Sequence, residues 1–151
     1  MIRIRKAGET TEAAIQAARE AALEAAREAA EMHKKEPDSQ NNYVPVTASE
    51  LFETVQDLLA DGYRLGQACC TEVGDEFEII YSFDKDYMLV NLLLTISKDQ
   101  EVKSITSLCW PAFIYENEIH DLFGVKFKHS ELDYGGHFFR LNQPAPWNTK
   151  S

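Results

Sequence analysis

Glu116-Asn117-Glu118-Ile119-His120-Asp121-Leu122-Phe123-Gly124-Val125-Lys126-Phe127 places acidic residues, apolar residues and a stop glycine in one helical window. Pro111 suits the start of a helix, because its missing N–H would have no partner in the first turn. Gly124 suits the end, because a left-handed closing turn is one that a Cβ resists. The spacing therefore predicts a helix over residues 111–123. Phe113, Ile114, Ile119 and Leu122 recur at intervals of three to five and can face a core, while Glu116 and His120 stand one turn apart on a second stripe. Glu118 and Asp121 lie where the macrodipole is negative, and each opposes it by ~0.3–1 kcal/mol if exposed. Two readings compete: a solvated acidic face, or carboxylates that accept hydrogen bonds from a neighbouring loop or a partner chain. Under the second, the window is a docking surface.

Working outward, Thr47 and Glu50 form a capping-box pattern before Leu51, Val55, Leu58 and Leu59, and Asp61-Gly62 stops that helix. Residues 63–71 read as a strand. Residues 76–83 follow as a second, with Phe77, Ile79, Tyr81 and Phe83 alternating with more polar positions. Asp84-Lys85-Asp86 turns the chain into residues 87–97, where Met88, Val90, Leu92, Leu94 and Ile96 line one face and Leu89 and Leu93 the other. A strand apolar on both faces belongs inside its sheet. Residues 102–108 supply the fourth strand and feed the 111–123 helix. The order helix, four strands, helix predicts an α+β fold: a mostly antiparallel four-stranded sheet packed with helices.

The flanks differ in character. Residues 1–6 alternate Ile2 and Ile4 with Arg3 and Arg5, a weak edge-strand signal, and residues 11–35 are alanine-rich with His33, Lys34 and Lys35 at the end that favours cations. A long N-terminal helix with few large apolar side chains is expected there, owing its stability mainly to propensity. The predicted organisation is an extension over 1–36, a linker over 37–46, the α+β domain over 47–127 and an irregular tail over 128–151. The tail carries Phe138, Phe139 and Trp147, which either fold back on the core or anchor in a partner's pockets.

Composition narrows the function. A 151-residue chain that is 44% hydrophobic can bury a real core without disulfides. Its 25 acidic against 15 basic residues argue against nucleic acid, which needs clustered cations. The sequence has no apolar run long enough for a spanning helix and no secretory-signal pattern, so a cytoplasmic, soluble chain is expected, with any membrane association made through other subunits. Cys69, Cys70 and Cys109 form neither a CxxC pair nor a set of four, which argues against a zinc or iron–sulfur site held by this chain alone. Glu116, His120 and Asp121 contain the residue types of an acid–base or metal set, but His120 and Asp121 diverge around the helix and no HExxH follows. His129 and His137 around Glu131 and Asp133 match no zinc module. Neither a phosphate-cradling glycine loop nor a GxSxG elbow is present.

The 116–127 window, with the lead-in Ser104-Ile105-Thr106-Ser107-Leu108 and Pro111-Ala112, resembles the signature of the thirty-kilodalton subunit family of respiratory complex I and the related energy-converting nickel–iron hydrogenases. Glu116, Glu118, Asp121, Leu122, Phe123, Gly124, Val125 and Phe127 match at the right spacing. Asn117 stands where the complex I branch usually has arginine, and Ile119-His120-Asp121-Leu122-Phe123-Gly124 is more similar to the hydrogenase branch. The resemblance implies a non-catalytic structural subunit on the cytoplasmic side of a membrane-bound redox complex that couples electron transfer to ion translocation. It implies as neighbours a large catalytic subunit, a small iron–sulfur subunit, a ferredoxin-like subunit and membrane ion-translocating subunits. Iron–sulfur clusters and the nickel–iron centre would belong to those neighbours, with no cofactor held here. It also implies a partner interface made by Glu116, Glu118, His120, Asp121, Phe123, Gly124, Phe127, Phe138, Phe139 and Trp147. An NADH:quinone oxidoreductase subunit is the alternative within the family. A free-standing adaptor acting through the N-terminal helix, and a small metal-dependent enzyme, are alternatives from other classes.

Overall fold

The computed structural model describes Glu24 and residues 43–149. The expected strand at 1–6, the 11–35 helix apart from Glu24, and the first part of the 37–46 linker lie outside the described residues. The chain divides after Pro37, and the body below belongs to the second unit, residues 38–151.

Four strands build the main sheet in the order β1-β4-β3-β2, with β1 Tyr43–Val46, β2 Arg64–Val73, β3 Glu76–Lys85 and β4 Met88–Ser97. The β2–β3 and β3–β4 pairings are antiparallel, whereas β1 runs parallel to β4, so the sheet is mixed. As its two apolar faces demand, β4 is an interior strand. Inner-face residues Phe77, Ile79, Tyr81 and Phe83 of β3 and Val90, Leu92, Leu94 and Ile96 of β4 are buried. They form one core with Leu51, Val55 and Leu58 of helix α1, Leu51–Ala60, and with Ala112, Ile119, Leu122 and Phe123 of helix α2, Ala112–Phe123. Each large apolar side chain so enclosed contributes on the order of 1.5–3 kcal/mol.

Local chemistry sets the ends of these elements. The Glu50 carboxylate reaches back to the Thr47 N–H at 3.1 Å, the acidic half of the expected box, while the Thr47 hydroxyl donates to the same carboxylate at 2.7 Å. The β3–β4 hairpin closes through two residues, Asp86 at φ 49° and Tyr87 at φ 66°, the signs a tight hairpin turn requires.

Two strand assignments are corrected. The fourth strand of the main sheet is Tyr43–Val46, inside the predicted linker; it is short and contains Pro45, which an edge strand tolerates because a missing N–H on its outer side breaks no ladder. Of residues 102–108, only the start is extended. Strand β5, Glu101–Lys103, pairs in parallel with β6, Lys126–Lys128, as a separate two-stranded sheet. Ser104 and Thr106 end it: the Thr106 N–H donates to Ser104 Oγ at 3.1 Å, and the chain curls into a turn instead of continuing a ladder.

Candidate functional site

Helix α2 presents three stripes with different neighbours. Pro111 precedes it, and Gly124 terminates it at φ 82° with its N–H donating to the His120 carbonyl at 2.8 Å. The first stripe, Ala112, Glu116, Ile119 and Phe123, faces the core. The second, Asn117 and Asp121, faces the tail. The third, Ile114 and Glu118, faces outward; Ile114 is 44% exposed, which corrects its expected core position, and Phe113 is half-buried.

Glu116 is 1% exposed. One carboxylate oxygen accepts the Ser104 hydroxyl at 2.5 Å and the other the Ile105 N–H at 3.0 Å. Ser104 Oγ in turn lies 2.7 Å from Thr106 Oγ1, which accepts the Glu131 N–H at 2.9 Å. Burial lifts the Glu116 carboxyl to about 7, against the pull of its hydrogen bonds from Ser104 and Ile105. The buried Tyr81 hydroxyl faces the same carboxyl without a hydrogen bond of good geometry, and burial holds it well above its ordinary value. Glu116 thus ties the turn after β5 to the middle of α2.

Asn117 and Asp121, one turn apart, fasten the tail. The Asn117 amide donates to the Phe113 carbonyl at 2.7 Å and the Leu132 carbonyl at 2.9 Å, and its oxygen accepts the Tyr134 N–H at 2.8 Å. Asp121 Oδ2 accepts the Phe139 N–H at 2.6 Å, while Oδ1 is buried without a hydrogen-bond partner. The fastening continues. The Trp147 N–H donates to the Leu122 carbonyl at 2.9 Å, and Thr149 gives both its N–H and hydroxyl to Glu72, which also pairs with Lys98. These bonds hold the Glu72 carboxyl down at about 2, the hydrogen bond from Lys98 contributing most.

Aromatic contacts follow the same path. Phe123 sits between Phe77 of the sheet, 5.8 Å away, and Trp147 of the tail, 5.5 Å away, both in edge-to-face arrangement. Phe138 contacts Tyr134 and Phe139 at 5.3 and 5.0 Å. Phe138 is half-buried, whereas Phe139 and Trp147 keep 41% and 57% of their surface exposed, so the tail aromatics fold back and still present surface. His120 packs beneath Gly136, where an added Cβ would lie 3.7 Å from its Nε2. His120 also lines a small pocket with Glu116, Asn117, Phe127, Ser130 and Asp133. Phe127 is half-buried in β6, and Glu118 is partly exposed.

Of the two carboxylates that oppose the dipole, Asp121 accepts a hydrogen bond from this chain's own tail, the loop-facing form of the second reading, while Glu118 stays partly exposed; Glu116 is held in the same way by the turn after β5. Asn117, Ser104 and Thr106 escaped notice as polar anchors. Asn117 had one available signal: a short amide in mid-helix, four residues before an aspartate, puts two polar side chains on one face. Among the described residues, no three His, Cys, Asp or Glu side chains gather to hold a metal. Cys69, Cys70 and Cys109 are free thiols, with Cys70 pushed up to about 12 by burial. Among the described residues, no helix is long and apolar enough to cross a membrane.

With this geometry in place, the family model described as the respiratory-chain NADH dehydrogenase 30 kDa subunit matches residues 21–133. A solved structure of a membrane-bound sulfane sulfur reductase, an archaeal respiratory membrane complex, contains a chain of similar fold. The TM-score is 0.62 at 15% identity, covering 77% of this chain and 76% of that one. No curated protein matches by sequence.

Proposed function

The chain belongs to the family of the 30 kDa subunit of the respiratory-chain NADH dehydrogenase, and from that premise we propose that it is a structural subunit of a membrane-bound, complex I-like redox assembly, peripheral to the membrane. One observation carries the structural role. The signature carboxylates Glu116 and Asp121 are spent as acceptors for Ser104, Ile105 and Phe139, so they shape a surface instead of meeting a reactant. That surface consists of helix α2, the tail fastened to it, and the aromatics Phe139 and Trp147 that the tail holds outward.

Within the family we assign it to the nickel–iron hydrogenase type, on the cytoplasmic side, with a large catalytic subunit, an iron–sulfur small subunit, a ferredoxin-like subunit and ion-translocating membrane subunits as neighbours. Two features support this branch: the wording Ile119-His120-Asp121-Leu122-Phe123-Gly124, and Asn117, whose amide closes onto Leu132 and Tyr134 where a long cation would have to reach elsewhere. Electron transfer and ion movement belong to the assembly. Affinity purification of the tagged chain from its native membranes tests both levels. Co-purifying nickel and ferredoxin-type clusters support the hydrogenase type. Flavin with NADH oxidation moves the chain to the quinone-reducing branch, and sulfane-sulfur reduction without nickel moves it to the type of its structural neighbour. A chain recovered without redox subunits overturns the subunit reading.

A further inference from the structure

Trp110, Phe113 and Ile114 form an apolar patch at the start of α2. Trp110 is 54% and Ile114 44% exposed, and the Trp110 and Phe113 rings lie 5.1 Å apart and tilted at 38°. The backbone beneath is firmly held: the Phe113 N–H donates to the Trp110 carbonyl at 3.1 Å, and the Tyr115 hydroxyl donates to the Gly66 carbonyl of β2 at 3.1 Å. The aromatics are therefore displayed from a rigid base, with little ordering left to lose on binding.

Glu118 follows Ile114 by one turn on the same face. Among the described residues, Arg64 pairs with Asp84, Lys98 with Glu72 and Lys128 with Glu101, and Lys103 lies over the Phe52 ring. None of these cations serves Glu118. Asp121, the other acid opposing the helix dipole, is compensated by the Phe139 N–H, whereas no described hydrogen bond compensates Glu118.

We propose that Trp110, Phe113, Ile114 and Glu118 form the seat of a neighbouring subunit, which inserts an apolar side chain against the aromatic pair and sets a lysine or arginine on Glu118. Charge selects this occupant. A second copy of a chain of formal net charge −10 would bring acid against acid, and an anionic lipid surface would be repelled. The proposal rests on the subunit reading above and adds which face is seated and by what chemistry.

Carbodiimide coupling of the purified native complex, followed by mass spectrometry, should join Glu118 to a lysine of a redox subunit, or leave it uncoupled but protected if the cation is arginine. In full-length tagged chain, Glu118→Lys and the double change Trp110→Ser with Ile114→Ser should each lower recovery of the redox subunits on the order of tenfold. Trp110 and Ile114 are exposed and Glu118 is partly so, and both variants should keep the thermal midpoint of the isolated chain, with Glu118→Gln giving a smaller loss of recovery. Wild-type recovery by the charge reversal and the double variant overturns the seat while leaving the subunit reading intact. Failure of the unmodified chain to recover any redox subunit overturns both. A change in oligomeric state of the chain alone, or in its binding to phosphatidylglycerol vesicles, with subunit recovery unchanged, reassigns the patch to a second copy or to lipid and overturns the proposal.

Discussion

Burial makes the folded chain hold the Glu116 proton more tightly than solvent would. The ordinary value of this carboxyl is 4.5 and burial raises it to about 7, so the folded chain binds this proton more tightly than the unfolded one. The contribution to stability is full below about pH 4.5 and is lost as pH rises through about 7, a fall of about 3 kcal/mol from this group. Replacing it by the uncharged isostere, Glu116→Gln, should flatten that fall; urea denaturation of both proteins at pH 5 and pH 8 measures it. Glu72 acts in the opposite sense, because its depressed value gives a contribution present above the normal carboxylate range and lost as pH falls towards 2. Tyr87 shows a second residue-scale tension. It holds φ 66° at the hairpin tip with its side chain wholly in solvent, at a position where glycine is at ease. Tyr87→Gly should raise stability by about 0.5–1 kcal/mol, seen as a higher thermal midpoint of the isolated chain.

At the scale of elements, helix α2 joins three things that are weak alone: a curled turn after a three-residue strand, an irregular tail and one inner face of a sheet. Asn117 and Asp121 hold successive points of the tail, so their loss should be felt in order along it. Asn117→Ala should speed amide exchange at Tyr134, and Asp121→Ala at Phe139, each on the order of tenfold, while amides of β3 and β4 keep their protection. Uniform acceleration through the sheet would show instead that the tail is part of the core's cooperative unit. The helix itself was legible: Pro111, the apolar spacing and Gly124 encode its ends locally. The direction of its acidic stripe was not, because the groups that receive those carboxylates come from Ser104, Ile105 and Phe139, segments that helical spacing does not relate to the helix.

Across the described body, the sheet supplies the core and the tail completes it. Trp147 covers Phe123, and Thr149 closes the Glu72–Lys98 pair, so the irregular tail is structural cover. Ending the chain after Lys128 would bare Asn117, Asp121 and one face of Phe123, with a loss on the order of 3–5 kcal/mol or failure to fold. Thermal unfolding and dye binding to exposed apolar surface report it. Deleting residues 1–36 should instead leave redox-subunit recovery in place through the body; loss of all partner binding would favour the free-standing adaptor. Residues 43–46 become a strand because β4 has an unpaired edge to offer, a fact written in β4's position and not in the four residues themselves.

By itself the sequence determined the helix ends, the β2, β3 and β4 strands with the two apolar faces of β4, and the signature that marks the family, because each is carried by residue type and periodicity over a few turns or pleats. Tertiary structure alone decided that β1 and not residues 102–108 completes the sheet, that Glu116 and Asp121 turn inward, and that Trp110, Ile114 and Glu118 face out. Those outcomes depend on which distant backbone donors reach a carboxylate and which strand edge is left open, and no local spacing encodes either.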